Sequence, residues 1–211
     1  MRGILLFGPQ GSGKGTQGEK LSAWLQLPLV VTGNIFRSNI KSGTALGQLA
    51  QGYIQRGELV PDEVTNQMIQ QRLAEPDCVN GFVLDGFPRS VAQAEALHNF
   101  TTVTHLLHIS ISDAEAVRRI AERRTCVANG HVYHVLYNPP KQAGVCDSDG
   151  SPLQQREDDT ETALRRRLDI YHRATEPLLN YYRQRQLVFD INGEQLIAKV
   201  WTDIQAIFQT V

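Results

Sequence analysis

Short apolar runs recur along the chain, and each is followed by a stretch whose apolar positions fall at helical spacing. The runs are Ile4-Leu5-Leu6-Phe7, Leu29-Val30-Val31, Gly81-Phe82-Val83-Leu84, Leu106 to Ile111 and Leu187-Val188-Phe189-Asp190. Unbroken apolar character over so few residues predicts strands covered on both faces. The first helix carries Leu21, Trp24 and Leu25 on one side; another opens at Pro61 with Asp62 and Glu63 in its first turn, where negative charge meets the helix dipole. Ser90 to Phe100 reads as helix. Ser112-Asp113-Ala114-Glu115 has the spacing of a capping box and starts a helix expected to run to about Arg124. A long helix from Thr160 holds Leu164, Leu168, Tyr171, Leu178 and Tyr182 on one face, with a kink expected at Pro177. Glu194 to Phe208 closes the chain. The alternation predicts an α/β fold with a parallel β-sheet core and helices on both faces.

Two stretches break the rhythm. Residues 34–60 look helical but broken, with glycines at 43, 47, 52 and 57, a poor core segment. Residues 125–157 are rich in glycine, proline, tyrosine and polar residues, with Val132-Tyr133-His134-Val135 as one strand of a hairpin-rich insert. The expected organisation is a core of residues 1–32, 61–124 and 158–211, with two mobile inserts at 33–60 and 125–157. No internal repeat appears.

Composition narrows the function. At 211 residues and 41% hydrophobic the chain suits one α/β domain with inserts. A net charge of −1 argues against a general nucleic-acid binder. No run approaches a membrane span and no signal peptide is read, so a soluble cytoplasmic protein without membrane partners is expected. Three cysteines, Cys78, Cys126 and Cys146, are too few for a disulfide framework and suit a reducing compartment. Arginine outnumbers lysine 16 to 5, and its planar fork suits bidentate phosphate recognition.

Gly8-Pro9-Gln10-Gly11-Ser12-Gly13-Lys14-Gly15-Thr16 sits between a buried strand and a helix, the context a phosphate-binding loop requires. Its glycines let successive N–H groups point into one concavity at a helix N-terminus, and Lys14 adds a mobile charge for the outer phosphates. Gly15 stands where a Ser or Thr usually follows the lysine, so the hydroxyl comes one residue later, at Thr16. The motif predicts nucleoside triphosphate binding. Asp85 ends an apolar strand, as a carboxylate must to hold magnesium beside such a loop.

The glycine loop, Thr32-Gly33, the run Gly81 to Arg89 with Asp85-Gly86-Phe87-Pro88-Arg89, Gln93, and arginines 119, 123, 156 and 167 together resemble adenylate kinase over essentially the whole chain. Tyr133-His134 and Asn138-Pro139-Pro140 resemble its long-lid bacterial type. The resemblance implies a P-loop NTPase type core with an AMP-binding helical lobe and a lid, and the reaction of MgATP with AMP to give two ADP. It places the ATP phosphates on Gly11, Ser12, Gly13, Lys14, Gly15 and Thr16. The ATP base and ribose meet Arg119, Val132, Tyr133 and the backbone around Gln195. AMP lies against Thr32, Arg37, Glu58, Leu59, Val60, Gly86, Phe87, Pro88, Arg89 and Gln93. Gln93 suits an adenine edge because its amide both donates and accepts. Arg123, Arg156 and Arg167 converge with Lys14 and Arg89 on the transferring phosphoryl group, oriented by Asp158 and Asp159. Magnesium is held through nucleotide and water near Asp85. The family suggests a monomer.

Transfer needs no protein nucleophile, so the histidines are not catalytic candidates: His105 and His108 flank a strand end, and His98 and His172 read as helix surface. Within Arg165-Arg166-Arg167, helix geometry puts Arg167 about 60° from the buried face, Arg165 about 100° and Arg166 nearly opposite. Arg167 is therefore the one expected to reach inward, a result independent of the resemblance. Two positions depart from the family: Asn34 stands where Asp is usual, expected to bond water around magnesium without adding charge, and Gln10, expected to point away from the phosphates, replaces a small residue. Cys126-Val127-Ala128-Asn129 and Cys146-Asp147-Ser148-Asp149 have the spacing of two metal knuckles, but the amide of Asn129 is a poor zinc ligand. A lid held without metal is expected, with Cys126, Cys146 and Asp149 as degenerate candidates for structural zinc. The rivals are a kinase for UMP or CMP and a P-loop switch; the latter wants an Asn-Lys-x-Asp motif, which is not present.

Overall fold

The computed structural model describes residues 2–56, 58–156 and 159–209. Five apolar runs become strands β1 (Arg2–Phe7), β2 (Leu29–Val31), β3 (Gly81–Asp85), β4 (His105–Ser110) and β8 (Val188–Asn192), all parallel in the order β2-β3-β1-β4-β8. Successive side chains alternate between the faces. Leu5, Phe7, Phe82, Leu84 and Leu106 enter one apolar cluster, and Ile4, Leu6, Val83 and Leu107 the other. The first is covered by α4 (Asp62–Leu73), α5 (Val91–His98) and α8 (Leu178–Arg183) through Ile69, Leu97 and Tyr182. The second is covered by α1 (Lys14–Leu25) and α9 (Ile197–Gln209) through Leu21, Val200 and Ile204. The functional loops follow the carboxyl ends of β1, β2 and β3, where open α/β sheets place their crevice.

The first insert is less broken than its glycines suggest. It forms α2 (Thr32–Lys41) and α3 (Ala45–Gln55), interrupted at residues 42–44. Gly47 lies inside α3 because a Cβ there would stand 2.2 Å from the Asn39 carbonyl oxygen; it sets how closely the two helices pack. Phe36 and Ala50 join the same cluster as the sheet, so the insert contributes to the core after all.

Three boundaries differ from expectation. The helix begun at Ser112 is α6 (Asp113–Ala121) and stops before Arg123, which with Arg124 belongs to strand β5 (Arg123–Cys126). That strand is the centre of a small antiparallel sheet with β6 (Val132–His134) and β7 (Leu153–Gln154), in the order β6-β5-β7. The Ser112 hydroxyl caps its helix, but the reciprocal contact to the Ser112 N–H comes from Glu194 at 2.7 Å rather than from Glu115. The long helix is α7 (Glu161–Ile170), a π-helical turn over Tyr171–Thr175, then α8. The disruption starts ahead of Pro177 because a proline ring clashes with the carbonyl four residues back and has no N–H to give it. The Glu176 N–H donates instead to the Tyr171 carbonyl, five residues back, at 2.8 Å. Among the described residues, no helix is long and apolar enough to cross a membrane.

Candidate active site

The phosphate loop leaves β1 and enters α1 through Gly13, whose left-handed φ of 94° brings the loop N–H groups round to the helix N-terminus. No side chain caps that terminus and no acidic residue stands in its first turn, so its donors and dipole face outward for an anion. The Lys14 ammonium donates to the carbonyls of Gly8 at 2.6 Å and Pro9 at 2.7 Å. Burial lowers its pKa, Asp85 opposes this, and Arg89 and Arg123 reinforce it, bringing Lys14 down to about 8. A phosphate in the cleft would replace the carbonyls as the partner of that charge.

The loop forms one wall of a cleft of about 450 Å³ lined by Gly11, Ser12, Gly13, Lys14, Gly15 and Thr16, together with Asp85. Its described cationic lining comprises Lys14, Arg37, Arg89, Arg119, Arg123, Arg156 and Arg167, against the carboxylates of Glu19, Glu58 and Asp85. Such an excess suits a ligand carrying several negative charges. Arg89 is held by its Nε–H to the Gly86 carbonyl at 2.8 Å, and burial depresses its pKa, with Asp85 opposing and Arg167 and Arg37 adding to the shift. Arg123 grips the buried carboxylate of Asp159 through Nε and Nη2, and Arg167 stands 4.0 Å from the same carboxylate. Asp159 lies behind the lining as an anchor for these two arginines. Arg156 donates to the Thr125 hydroxyl at 3.1 Å. Asp158 falls outside the described residues. The side chain of Arg167 is 16% exposed, whereas Arg166 at 50% and Arg165 at 70% face outward, paired with Glu58 and Glu161. The helical-wheel reading separates the three correctly.

Thr32, Arg37, Glu58, Leu59, Val60, Gly86, Phe87, Pro88, Arg89 and Gln93 line the cleft. The Thr32 hydroxyl is buried there with no described partner. Asn34 accepts a hydrogen bond from Arg37 through its Oδ1. Arg119, Val132, Tyr133 and Gln195 line the cleft as well, with Asn138 and with Tyr137 and Gly193, two residues the sequence did not single out. Arg119 is fixed by Glu115 at 2.6 Å and the Gly193 carbonyl at 2.9 Å, and its guanidinium lies 5.3 Å from the Tyr137 ring. An aromatic ring against an arginine plane makes a cation–π contact. Gln10 lines the cleft with its Oε1 buried and without a described partner. His108 is buried between Asp190 at 2.7 Å and Tyr171 at 3.2 Å, and the ring of His98 packs on Tyr181 and Tyr182. Neither lines the cleft.

In the small antiparallel sheet, Cys126 and Cys146 are buried with Tyr133. Asn129 donates to Asp149 at 2.7 Å and to the Cys146 sulfur at 3.5 Å, and Cys126 donates to Asp149 at 3.6 Å. The ligand atoms of Cys126, Cys146 and Asp149 lie within 4.8 Å of one another. Burial pushes the Cys146 thiol up, but hydrogen bonds from Tyr133, Asn129 and two backbone N–H groups outweigh it and bring it to about 7. The corner is thus hydrogen-bonded throughout and also presents three of the four ligands of a zinc site.

The family model for adenylate kinase matches residues 6–187. The chain is 46% identical to an adenylate kinase of Methanocella arvoryzae over 96% of each chain. It is 48% identical to one of Moorella thermoacetica over 93% of each. With one of Streptomyces avermitilis it shares 50% identity over 90% of this chain and 89% of the relative.

The anchor at Asp159 has a measurable consequence. Asp159→Ala leaves the Arg123 guanidinium without its buried counter-charge, and chemical denaturation should show a loss of about 3 kcal/mol. Asp77→Ala, which breaks the exposed pair with Arg72, should lose under about 1 kcal/mol. Equal losses would show that Asp159 anchors nothing.

Proposed function

The chain belongs to the adenylate kinase family, and we propose that the cleft described above carries out that family's reaction, transferring the γ-phosphoryl group of ATP to AMP. It is a phosphotransferase. The observation that carries the site assignment is the convergence of Lys14, Arg89, Arg123, Arg156 and Arg167 on one cleft with the glycine loop. An AMP phosphate oxygen attacks the γ-phosphorus as the bond to the ADP leaving oxygen breaks, and two ADP result. No side chain need be a nucleophile. The chain supplies position and positive charge where negative charge shifts across the three phosphates. ATP lies with its phosphates on Gly11 to Thr16 and its base by Arg119 and Tyr137; AMP lies toward Thr32, Arg37, Arg89 and Gln93.

Magnesium fits the donor set. Asp85 offers a carboxylate at a strand end, with no hydrogen bond or ion pair from the described side chains, and Thr16 offers a hydroxyl on the same wall. These oxygens suit a hard cation held mainly through nucleotide and water. Bound there, it would neutralise phosphate charge and orient the γ-phosphoryl group. Residues 33–60 and 125–157 act as lobes that close over AMP and ATP, excluding water that would compete for the γ-phosphate. The chain works as a monomer in the cytoplasm; its three unpaired cysteines support a reducing compartment.

Arg89→Ala and Arg167→Ala should each slow transfer by about 10²-fold or more, since each removes a preorganised charge. Arg166→Ala should change it by less than about threefold, its partner being the exposed pair with Glu58. Comparable losses at Arg166 and Arg167 in steady-state assays would refute the assignment.

Lys14 must be protonated to hold phosphate, so kcat/KM for ATP should fall as pH rises through about 8. Lys14→Arg, slower but charged throughout, should lack that limb. Stability moves the other way. Between about 8 and 10.5 the folded chain has lost this proton and the unfolded chain has not, so Lys14 makes the nucleotide-free protein more stable as pH rises.

For the lid we favour hydrogen bonding over a structural zinc, because Asn129 is a neutral amide in the fourth place. Metal analysis of protein purified without chelator should find well under one zinc per chain, and Asn129→Cys should raise it to about one. About one zinc per chain in the unaltered protein, lost with thermal stability on chelation, would overturn this.

A further inference from the structure

Gln93 is 2% exposed, and both ends of its amide are already engaged. Its Oε1 accepts from the Arg89 backbone N–H at 2.7 Å, and its Nε2 donates to Asp62 Oδ1 at 2.5 Å. The second carboxylate oxygen of Asp62 accepts from the Ser90 hydroxyl at 2.7 Å, which fixes the carboxylate in turn. A carboxylate only accepts and a backbone N–H only donates. A reversed amide would therefore set two donors against each other at Arg89 and two acceptors at Asp62. A glutamine amide has two N–H groups and two lone pairs on oxygen. One of each is used, and one of each is left, at a residue that lines the cleft.

We infer that Asp62 is a positioning residue for base recognition: it holds the Gln93 amide in one flip and thereby favours a 6-amino over a 6-oxo purine monophosphate. This rests on the reading that Gln93 meets the AMP base. The edge of adenine presents an acceptor at N1 beside a donor at N6, which pairs with a fixed N–H and C=O. Hypoxanthine presents N1–H beside O6, the reverse order, and needs the amide that Asp62 and the Arg89 N–H forbid. Asp62 also stands in the first turn of α4, where its charge favours the helix. That role alone would affect stability and leave base selectivity untouched, so selectivity is the discriminating readout.

The experiment compares AMP with inosine 5′-monophosphate as acceptor for Asp62→Ala, Asp62→Asn and Gln93→Leu. Asp62→Ala should raise KM for AMP about tenfold and lower the AMP-to-IMP ratio of kcat/KM about tenfold, with KM for ATP within about twofold. Asp62→Asn keeps an acceptor for Gln93 and should restore both values to within about threefold. Asp62→Ser, suited to a first helical turn but too short to reach Gln93, replaces the alanine variant if that does not fold. An unchanged ratio in Asp62→Ala, or an equal loss for AMP and IMP, with Gln93→Leu still lowering the ratio, would overturn the role of Asp62 and leave base reading by Gln93 intact. If Gln93→Leu changes neither KM for AMP nor the ratio, the base lies elsewhere and both readings fall.

Discussion

The constraint on which the site depends is the burial of positive charge. Lys14 and Arg89 sit deep enough that burial is the largest influence on each, lowering both pKa values, while Arg37, Arg123 and Arg167 lie close enough to add to the shifts. Such a group holds together only with compensation at close range. Asp159 supplies it for Arg123 and Arg167, Asp85 for Lys14 and Arg89, and the loop carbonyls of Gly8 and Pro9 for the ammonium itself. None of these cancels the excess lining the cleft. A polyphosphate does, and its oxygens take over contacts that the chain now makes to itself.

That requirement explains why so many unrelated elements end at one place. Lys14 opens α1, Arg89 follows β3, Arg123 opens β5, and Arg167 lies in the last turn of α7. The parallel sheet makes this possible by bringing the carboxyl ends of β1 and β3 side by side, so one loop supplies backbone donors and the next supplies Asp85 and Arg89. The small antiparallel sheet then presents Arg123 from the far side.

What was legible in the sequence was what is encoded locally. The phosphate loop announces itself by glycine spacing, Asp85 by closing an apolar run, and Arg167 by its angle to Leu164 and Leu168. What escaped depends on contacts distant in the chain. Glu194 completes the Ser112 cap from 82 residues away, and Gly193 supplies the carbonyl that aims Arg119 from 74 residues away. Asp62 read as a helix-terminus charge, which it also is; only the fold shows Gln93 against it, 31 residues on. The end of α6 was misjudged because Arg123 and Arg124 have good helix propensity, whereas pairing of β5 with β6 and β7 decides their conformation.

The two places proposed for the bases differ in the contacts they offer. Around Arg119 the contacts are planar and charged, with the Tyr137 ring against the guanidinium. Around Gln93 the contacts are directional, built from one backbone N–H, one carboxylate and one hydroxyl, each fixing the next. Discrimination by unpaired donors and acceptors is far steeper than discrimination by stacking, because a mismatched base leaves buried polar groups without partners. On the proposed reading, the strict selection falls at Gln93, which is almost wholly buried, and the contacts around Arg119 select by shape and charge. On that proposed reading, selectivity for the acceptor base and phosphoryl transfer are carried by separate sets of residues.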